Sequence, residues 1–306
     1  MSRLGLTARR LNLLVLRARR LVAWTASPSG WARPEVGGPL AFPHELYRRR
    51  WPIAGVRPAL LPAAAGDCTA RDGRDRAALD SLERGKIINV ALAAPYLSGA
   101  VVAPDRPFSF WRAVPRPTAA RGYRLGMELR GGCVVPSAGG GLCLLSNALF
   151  AAAAELGWRI LERHAHSMTV AGAGSDALDA TVLWPHVDLR FAPRSGRARL
   201  EVRIRGGELE VLVHGDRPAG QRTEIHRLPA TEREEAGAPG LVRTSAVRRV
   251  VRDAESGALV EDTFIALDRK RVVPPATRTC LTCDRDACRA RPRGLAHPGR
   301  AAPAPR

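Results

Sequence analysis

The sequence predicts an α+β fold, and three observations carry that prediction. Leu142 to Leu156 is a continuous apolar run of helical length. Three glycines open it, and Gly157 closes it as a good residue for a left-handed C-terminal turn. From Ala77 to Leu97 the apolar residues recur with a helical period. Beyond Ala180 the period changes to two, the mark of half-buried strands. A helical N-terminal half followed by an antiparallel C-terminal half is an α+β arrangement.

The elements follow in order. Residues 1–34 hold seven arginines and no Asp or Glu. Leu4, Leu11, Leu14, Val15 and Val22 recur there at near-helical spacing, with Arg9, Arg10, Arg17 and Arg20 between them. A basic amphipathic helix fits this pattern, lying either on an acidic membrane surface or on the main domain. Its longest unbroken apolar stretch, Leu13 to Leu16, is too short for a signal-peptide core or a spanning helix. The expected location is therefore cytoplasmic, peripheral on the inner membrane face.

Residues 25–43 and 62–76 read as irregular from their composition. Helix 77–97 places Leu79, Leu82, Ile87, Val90, Ala91 and Ala94 on one stripe, with Pro95 near its end. Gly99 to Phe110 looks extended, turning at Pro104-Asp105-Arg106-Pro107. The helix after the glycines is apolar almost all round, so it belongs in the core. Leu200, Val202 and Ile204 alternate with charged residues, a Gly206-Gly207 turn follows, and Leu209, Val211 and Val213 alternate in turn. A second hairpin is expected from 248–251 and 258–266. The division is a basic segment and linker at 1–43, a main domain at 44–276, and a Cys-containing, partly disordered tail at 277–306.

The formal charge of +19 comes almost wholly from arginine, with lysine only at 86 and 270. A solvated surface of biased composition explains most of it. The functional reading is attraction to an anion such as acidic lipid or a cell-wall precursor. No recognised nucleic-acid motif accompanies the charge, so nucleic acid is not an expected partner.

Six cysteines, at 68, 133, 143, 280, 283 and 288, form no evenly spaced disulfide framework, and a reducing compartment is expected. Cys280-x2-Cys283-x4-Cys288 has thiolate spacing suited to zinc or an iron–sulfur cluster, with Cys68 or His297 as a fourth ligand. No cofactor is expected in the main domain.

The chemistry concentrates at Gly139-Gly140-Gly141-Leu142-Cys143 and at Arg163-His164-Ala165-His166-Ser167. A cysteine in the first turn of a helix meets unpaired N–H groups and the positive end of the dipole, which favour a thiolate. His166 or His164 would supply an imidazole partner. The glycine N–H groups would stabilise an oxyanion. The structural alternative is that the glycines permit a tight turn and the cysteine is an inert core residue. Asp188 could orient a histidine, Trp111, Phe110 and Tyr123 could line a groove, and Arg163 could bind a carboxylate of a peptide stem.

With these pieces placed, the chain resembles the VanW family. The resemblance rests on Asn89 to Pro95, Phe108-Ser109-Phe110-Trp111, Arg121-Gly122-Tyr123, Gly139 to Asn147, Glu162 to Ser167 and Val187 to Arg190, in order, within about residues 84–215. It implies a link to glycopeptide resistance and cell-wall metabolism. Some VanW domains are associated with cysteine-dependent L,D-transpeptidation of peptidoglycan, which implies Cys143 as nucleophile and a peptidoglycan precursor or peptide stem as partner. His166 matches the family pattern better than His164. An oxyanion and substrate-binding set of Gly139, Gly140, Gly141, Ser146, Asn147, Trp111 and Arg163 completes the expectation. Family members usually carry Gln after the cysteine, where this chain has Leu144. The alternative reading is a non-enzymatic accessory or binding protein at the membrane surface.

Overall fold

The computed structural model describes residues 14–22, 24, 31–34, 41–53, 70–130, 133–171, 178–235, 240–273, 280, 281 and 283. The long helix α1 runs over Ala70–Leu97. It starts earlier than its apolar period suggests, so 70–76, read as irregular, is helical. Those residues are polar and hide the period, yet Ala and Arg are good helix formers.

The buried face of α1 differs from the expected stripe. Leu79, Leu82, Val90, Ala93, Ala94 and Leu97 are buried, but so are Glu83, Lys86 and Asn89. Ile87 and Ala91 face outward instead. The cause lies in what the helix covers. It packs on a hairpin of Leu125–Arg130 and Cys133–Ala138 and on the glycine run, whose backbone groups need polar partners.

Helix α2 occupies Cys143–Glu155 and is buried along most of its length. It ends as expected, with Gly157 at φ 70°. Leu145, Leu149 and Phe150 belong to one continuous core with Phe108, Phe110 and Phe191. Phe108 stacks on Phe191 at 4.7 Å.

Two sheets flank this core. The first has the order Arg33–Pro34, Ala100–Val102, Ala198–Arg205, Glu208–Gly215, His44–Pro52. Its centre is the expected hairpin, with Val202 opposite Val211. The first half of the chain therefore contributes strands as well as helices. His44–Pro52 is one that its sequence hides, because His-Glu-Leu-Tyr-Arg-Arg-Arg-Trp-Pro lacks clean alternation.

The second sheet has the order Gln221–Arg227, Leu241–Asp253, Leu259–Val273, Met168–Val170. Its long hairpin extends well beyond the expected 248–251 and 258–266. The pairing of Met168–Val170 with the end of Leu259–Val273 is parallel. That pairing has a consequence for chemistry, since it carries Asp268 and Lys270 alongside the histidine segment.

Candidate active site

The glycine run forms a wall of a cleft of about 850 Å³. Cys143, His166, Thr181 and Trp184 also line it. The three glycines are dictated by space. A Cβ on Gly140 would lie 2.4 Å from the Gly126 backbone, and one on Gly141 would lie 2.3 Å from the Lys86 side chain. Gly139 and Gly141 also take φ values of 80° and 97°, which L side chains rarely adopt.

Asn89 locks this arrangement. Its amide donates to the carbonyls of Arg124 and Gly140, both at 3.0 Å, and its oxygen accepts from the Arg124 N–H at 2.8 Å. The N–H groups expected to hold an oxyanion are partly occupied. That of Gly139 donates to the Arg124 carbonyl and that of Gly140 to the Ser137 carbonyl. Among the described residues, Gly141 and Cys143 have no backbone acceptor for theirs.

Cys143 is the first residue of α2, where unpaired N–H groups favour an anion. Its sulfur lies 3.5 Å from the Thr181 hydroxyl and 3.9 Å from the Val182 carbonyl. Burial opposes the thiolate, but His166, Thr181 and the Val182 backbone together outweigh it and lower the thiol pKa.

The other side of His166 is held by a residue the sequence reading missed. The ring Nδ1 lies 2.5 Å from Asp179 Oδ1, and the His166 backbone N–H donates to Asp179 Oδ2 at 2.9 Å. Nε2 is thus the ring nitrogen left for the sulfur. Burial works against the imidazolium, but Asp179 and Cys143 raise its pKa to about 10. Asp179 is itself buried and also faces the Lys270 ammonium at 2.5 Å. Despite burial, His166 and Lys270 hold its carboxyl far below the usual carboxylate range. Asp179 thus contacts both His166 and Lys270, while His166 interacts electrostatically with the Cys143 thiolate.

The remaining expected site residues take other roles. Ser146 is buried and donates to the Ala180 carbonyl at 2.5 Å, while Asn147 accepts the Ala180 N–H at 2.8 Å. Both residues clamp the segment that carries Asp179 and Thr181. Arg163 is also turned inward. It donates to the Asp179 carbonyl at 2.5 Å and forms a two-pronged pair with Asp268, so it is not placed to receive a peptide carboxylate.

His164 is exposed and pairs with Glu162 at 3.3 Å, away from the sulfur. Trp111 does line the cleft, with its indole N–H donating to the Val187 carbonyl at 2.8 Å and its ring edge-on to Trp184. Asp188, the acid expected to orient a histidine, instead accepts from the Ser109 hydroxyl and the Trp111 N–H.

The tail cysteines stand apart. Cys280 is buried, and its N–H donates to the Val134 carbonyl at 3.0 Å. Cys283 is described as well, whereas Cys68, Cys288 and His297 lie outside the described residues. Among the described residues no three His, Cys, Asp or Glu side chains gather as a metal site. No described helix is long and apolar enough to cross a membrane.

Comparison with known proteins adds the family. The description "VanW like protein" matches residues 85–213. Those residues are similar to VanW-like proteins. The segment holds the glycine run, Cys143, His166 and Asp179, but not Lys270. The chain is 32% identical over 112 residues to the uncharacterized protein YoaR of Bacillus subtilis (strain 168), covering 37% of each chain. It is 31% identical over 112 residues to the vancomycin B-type resistance protein VanW of Enterococcus faecalis, covering 35% of this chain and 41% of that one. The chain thus spans well under half the length of these relatives. No solved structure matches.

Of the residues missed by sequence reasoning, Asn89 stood inside the quoted VanW-like Asn-Val-Ala-Leu stretch. Asp179 lies in Gly-Ser-Asp-Ala-Leu-Asp-Ala-Thr, which reads as loop and offers no periodic signal. Lys270 had a faint signal, being one of only two lysines in an arginine-rich chain. Both are buried and paired with an acid, Lys86 with Glu83 and Lys270 with Asp179.

Proposed function

We propose that the chain is a cysteine-dependent acyl-transfer enzyme, L,D-transpeptidase-like or peptidase, acting on peptidoglycan peptides. The observation that carries this reading is Cys143 and His166 on the wall of one cleft, with Asp179 buried behind the His166 ring. A thiolate at the mouth of a helix, an imidazolium beside it and a buried carboxylate behind it have the order of a nucleophile, an acid–base and an orienting group.

The thiolate of Cys143 attacks a peptide carbonyl carbon, forming a C–S bond and an oxyanion. The N–H groups of Gly141 and Cys143 are the donors available to that oxyanion. His166 gives its Nε2 proton to the departing amine as the C–N bond breaks, leaving a thioester. An acceptor amine, or water, then attacks the thioester and gives a proton to His166, and the C–S bond breaks to restore the thiolate and imidazolium. Asp179 keeps the Nδ1 proton in place throughout, so the ring presents Nε2 in both half-reactions.

The relative named for vancomycin resistance supports a cell-wall setting for the substrate. The test is incubation of the purified chain with muropeptides and mass analysis of the products. Wild type is expected to cross-link or cleave them, and Cys143→Ala to lose both. Equal product from the two proteins would sink the reading.

The alternative is a peptide-binding accessory protein without turnover. The hydrogen-bonded N–H groups of Gly139 and Gly140 favour it, since they leave fewer donors for an oxyanion. Muropeptide binding by Cys143→Ala, with no product from wild type, would select this alternative.

A further inference from the structure

We propose that the helical segment 14–22 docks the mouth of the cleft onto an acidic lipid bilayer, so that the substrate is an anionic peptide carried by the membrane. The inference rests on the cysteine reading for the chemistry of the cleft, but its own evidence is the placement of this segment.

Residues 14–22 are helical, and two of the points beyond and within the helix are fixed to the domain. Arg20 forms a two-pronged ion pair with Glu162, one contact at 2.8 Å. Trp24 is buried, with its ring 5.5 Å from that of Trp184, and its carbonyl accepts from Arg112 at 3.2 Å. Trp184 lines the cleft, and so do Arg17 and Leu21 of the helix itself. The helix is therefore part of the cleft rim.

What it presents outward is unusual for a surface helix. Leu14, Val15, Leu16, Leu21 and Val22 are 42–64% exposed. Leu183, across the cleft, is 48% exposed as well. The inward positions are already taken by Arg20 and Trp24, so these side chains are not left over from packing on their own domain. Arg17 and Arg19 stand exposed among them, and residues 1–34 contain no acid.

Leucine interleaved with arginine matches one surface on both counts. An acidic bilayer offers anionic headgroups to the guanidinium groups and acyl chains to the leucines within a few ångströms of depth. A substrate entering between Arg17, Leu21 and Leu183 would then arrive from the bilayer plane, and its anionic groups would meet Arg17 first.

Co-sedimentation of the full chain tests the docking, with vesicles of phosphatidylcholine alone or with added phosphatidylglycerol. Binding is expected only with the anionic lipid, weakening as salt rises. A Leu14→Glu, Leu16→Glu, Val22→Glu triple variant, with none of its residues placed in the cleft, is expected to bind more than about tenfold more weakly. Binding that ignores anionic lipid, or that survives the triple substitution, overturns the inference.

The approach of the cleft to the bilayer is read by alkylation, located at Cys143 by peptide mass analysis. An iodoacetyl group on a vesicle phospholipid is expected to label Cys143 of wild type and not of the triple variant. Soluble iodoacetamide should label both alike. Soluble labelling without lipid-borne labelling overturns the proposed orientation. Docking with no labelling by either reagent would remove the nucleophile and leave the docking surface standing, which separates the two readings.

Discussion

Asp179 and Asp188 lie nine positions apart, both buried and both beside the cleft, yet their surroundings drive them in opposite directions. Asp179 faces a histidine ring and a lysine, and its carboxyl is held far below the usual range. Burial dominates at Asp188 and pushes it up to about 6, against neutral donors from Ser109 and Trp111, with Glu162 raising it further and Arg20 lowering it. Burial by itself does not make an acid functional. The partner cation decides whether a buried carboxylate holds a charge ready for use or is a group that resists ionising.

The contrast is open to breakage, first at Asp179. Asp179→Asn is expected to lower acyl transfer on the order of 10²–10⁴-fold, the usual scale of an acid–base contribution. Asp188→Asn should leave turnover within about tenfold of wild type, since it touches no reacting group. Steady-state rates on a muropeptide substrate check both, and equal losses would erase the functional distinction between the two acids.

Next in size is the effect of His166 on the thiol. His166→Ala removes the largest of the influences that together outweigh burial, so the Cys143 thiol pKa should rise. At pH 7 its alkylation rate is expected to fall about tenfold or more. Iodoacetamide kinetics followed by peptide mass analysis measure this. An unchanged rate would mean that the helix N-terminus alone sustains the thiolate.

Lys270 sharpens the comparison, because it pairs directly with Asp179, whereas Arg20 acts on Asp188 too weakly to offset burial. Lys270→Met removes one of the two cations that face Asp179 and makes the site more negative. Both limbs of the pH profile should then move upward, the thiol limb and the imidazolium limb near 10, by about one unit. Lys270→Arg should restore the profile. A loss of amplitude without any shift would reduce Lys270 to a packing role.

The smallest expected effect concerns stability. A raised carboxyl pKa means that the folded state holds a proton the unfolded chain has lost. Asp188 therefore costs stability as pH rises from the ordinary carboxylate range to about 6. The melting temperature of Asp188→Asn relative to wild type should rise across that window.

The depressed Asp179 works the other way. Its contribution is present above the ordinary carboxylate range and is lost as pH falls through its lower folded value. The raised His166 contributes fully below the ordinary histidine range and loses that contribution as pH rises through about 10. In thermal melts against wild type, the Asp188→Asn difference should change between about pH 4 and 6 and the Asp179→Asn difference only below the ordinary carboxylate range, if the comparison holds.

Much of this site was legible before any coordinates. The glycine run, the cysteine at the helix mouth and the His166 partner could be named because each lies in a short segment with a local rule behind it. A Cβ does not fit at Gly140, and an apolar helix is buried. Asp188 drew attention as an acid beside a VanW-like strand pattern, and its real partners are a serine and a backbone amide. Asp179 was passed over because it sits in a loop-like run with no period to mark it.

What the sequence by itself determined was local. Its periods set helix α2 and the 198–215 hairpin, its glycines set the turn before Cys143, and its motif order placed residues 85–213 among VanW-like proteins. Tertiary structure decided which charges meet. Asp179 reaches His166 because Ser146 and Asn147 hold the adjoining Ala180 against α2. Lys270 reaches Asp179 because the strand Leu259–Val273 pairs with Met168–Val170. Periodicity reports which face of an element is apolar, but an electrostatic contact depends on distance in space. Only the assembled sheet and helix bring those groups within range of one another.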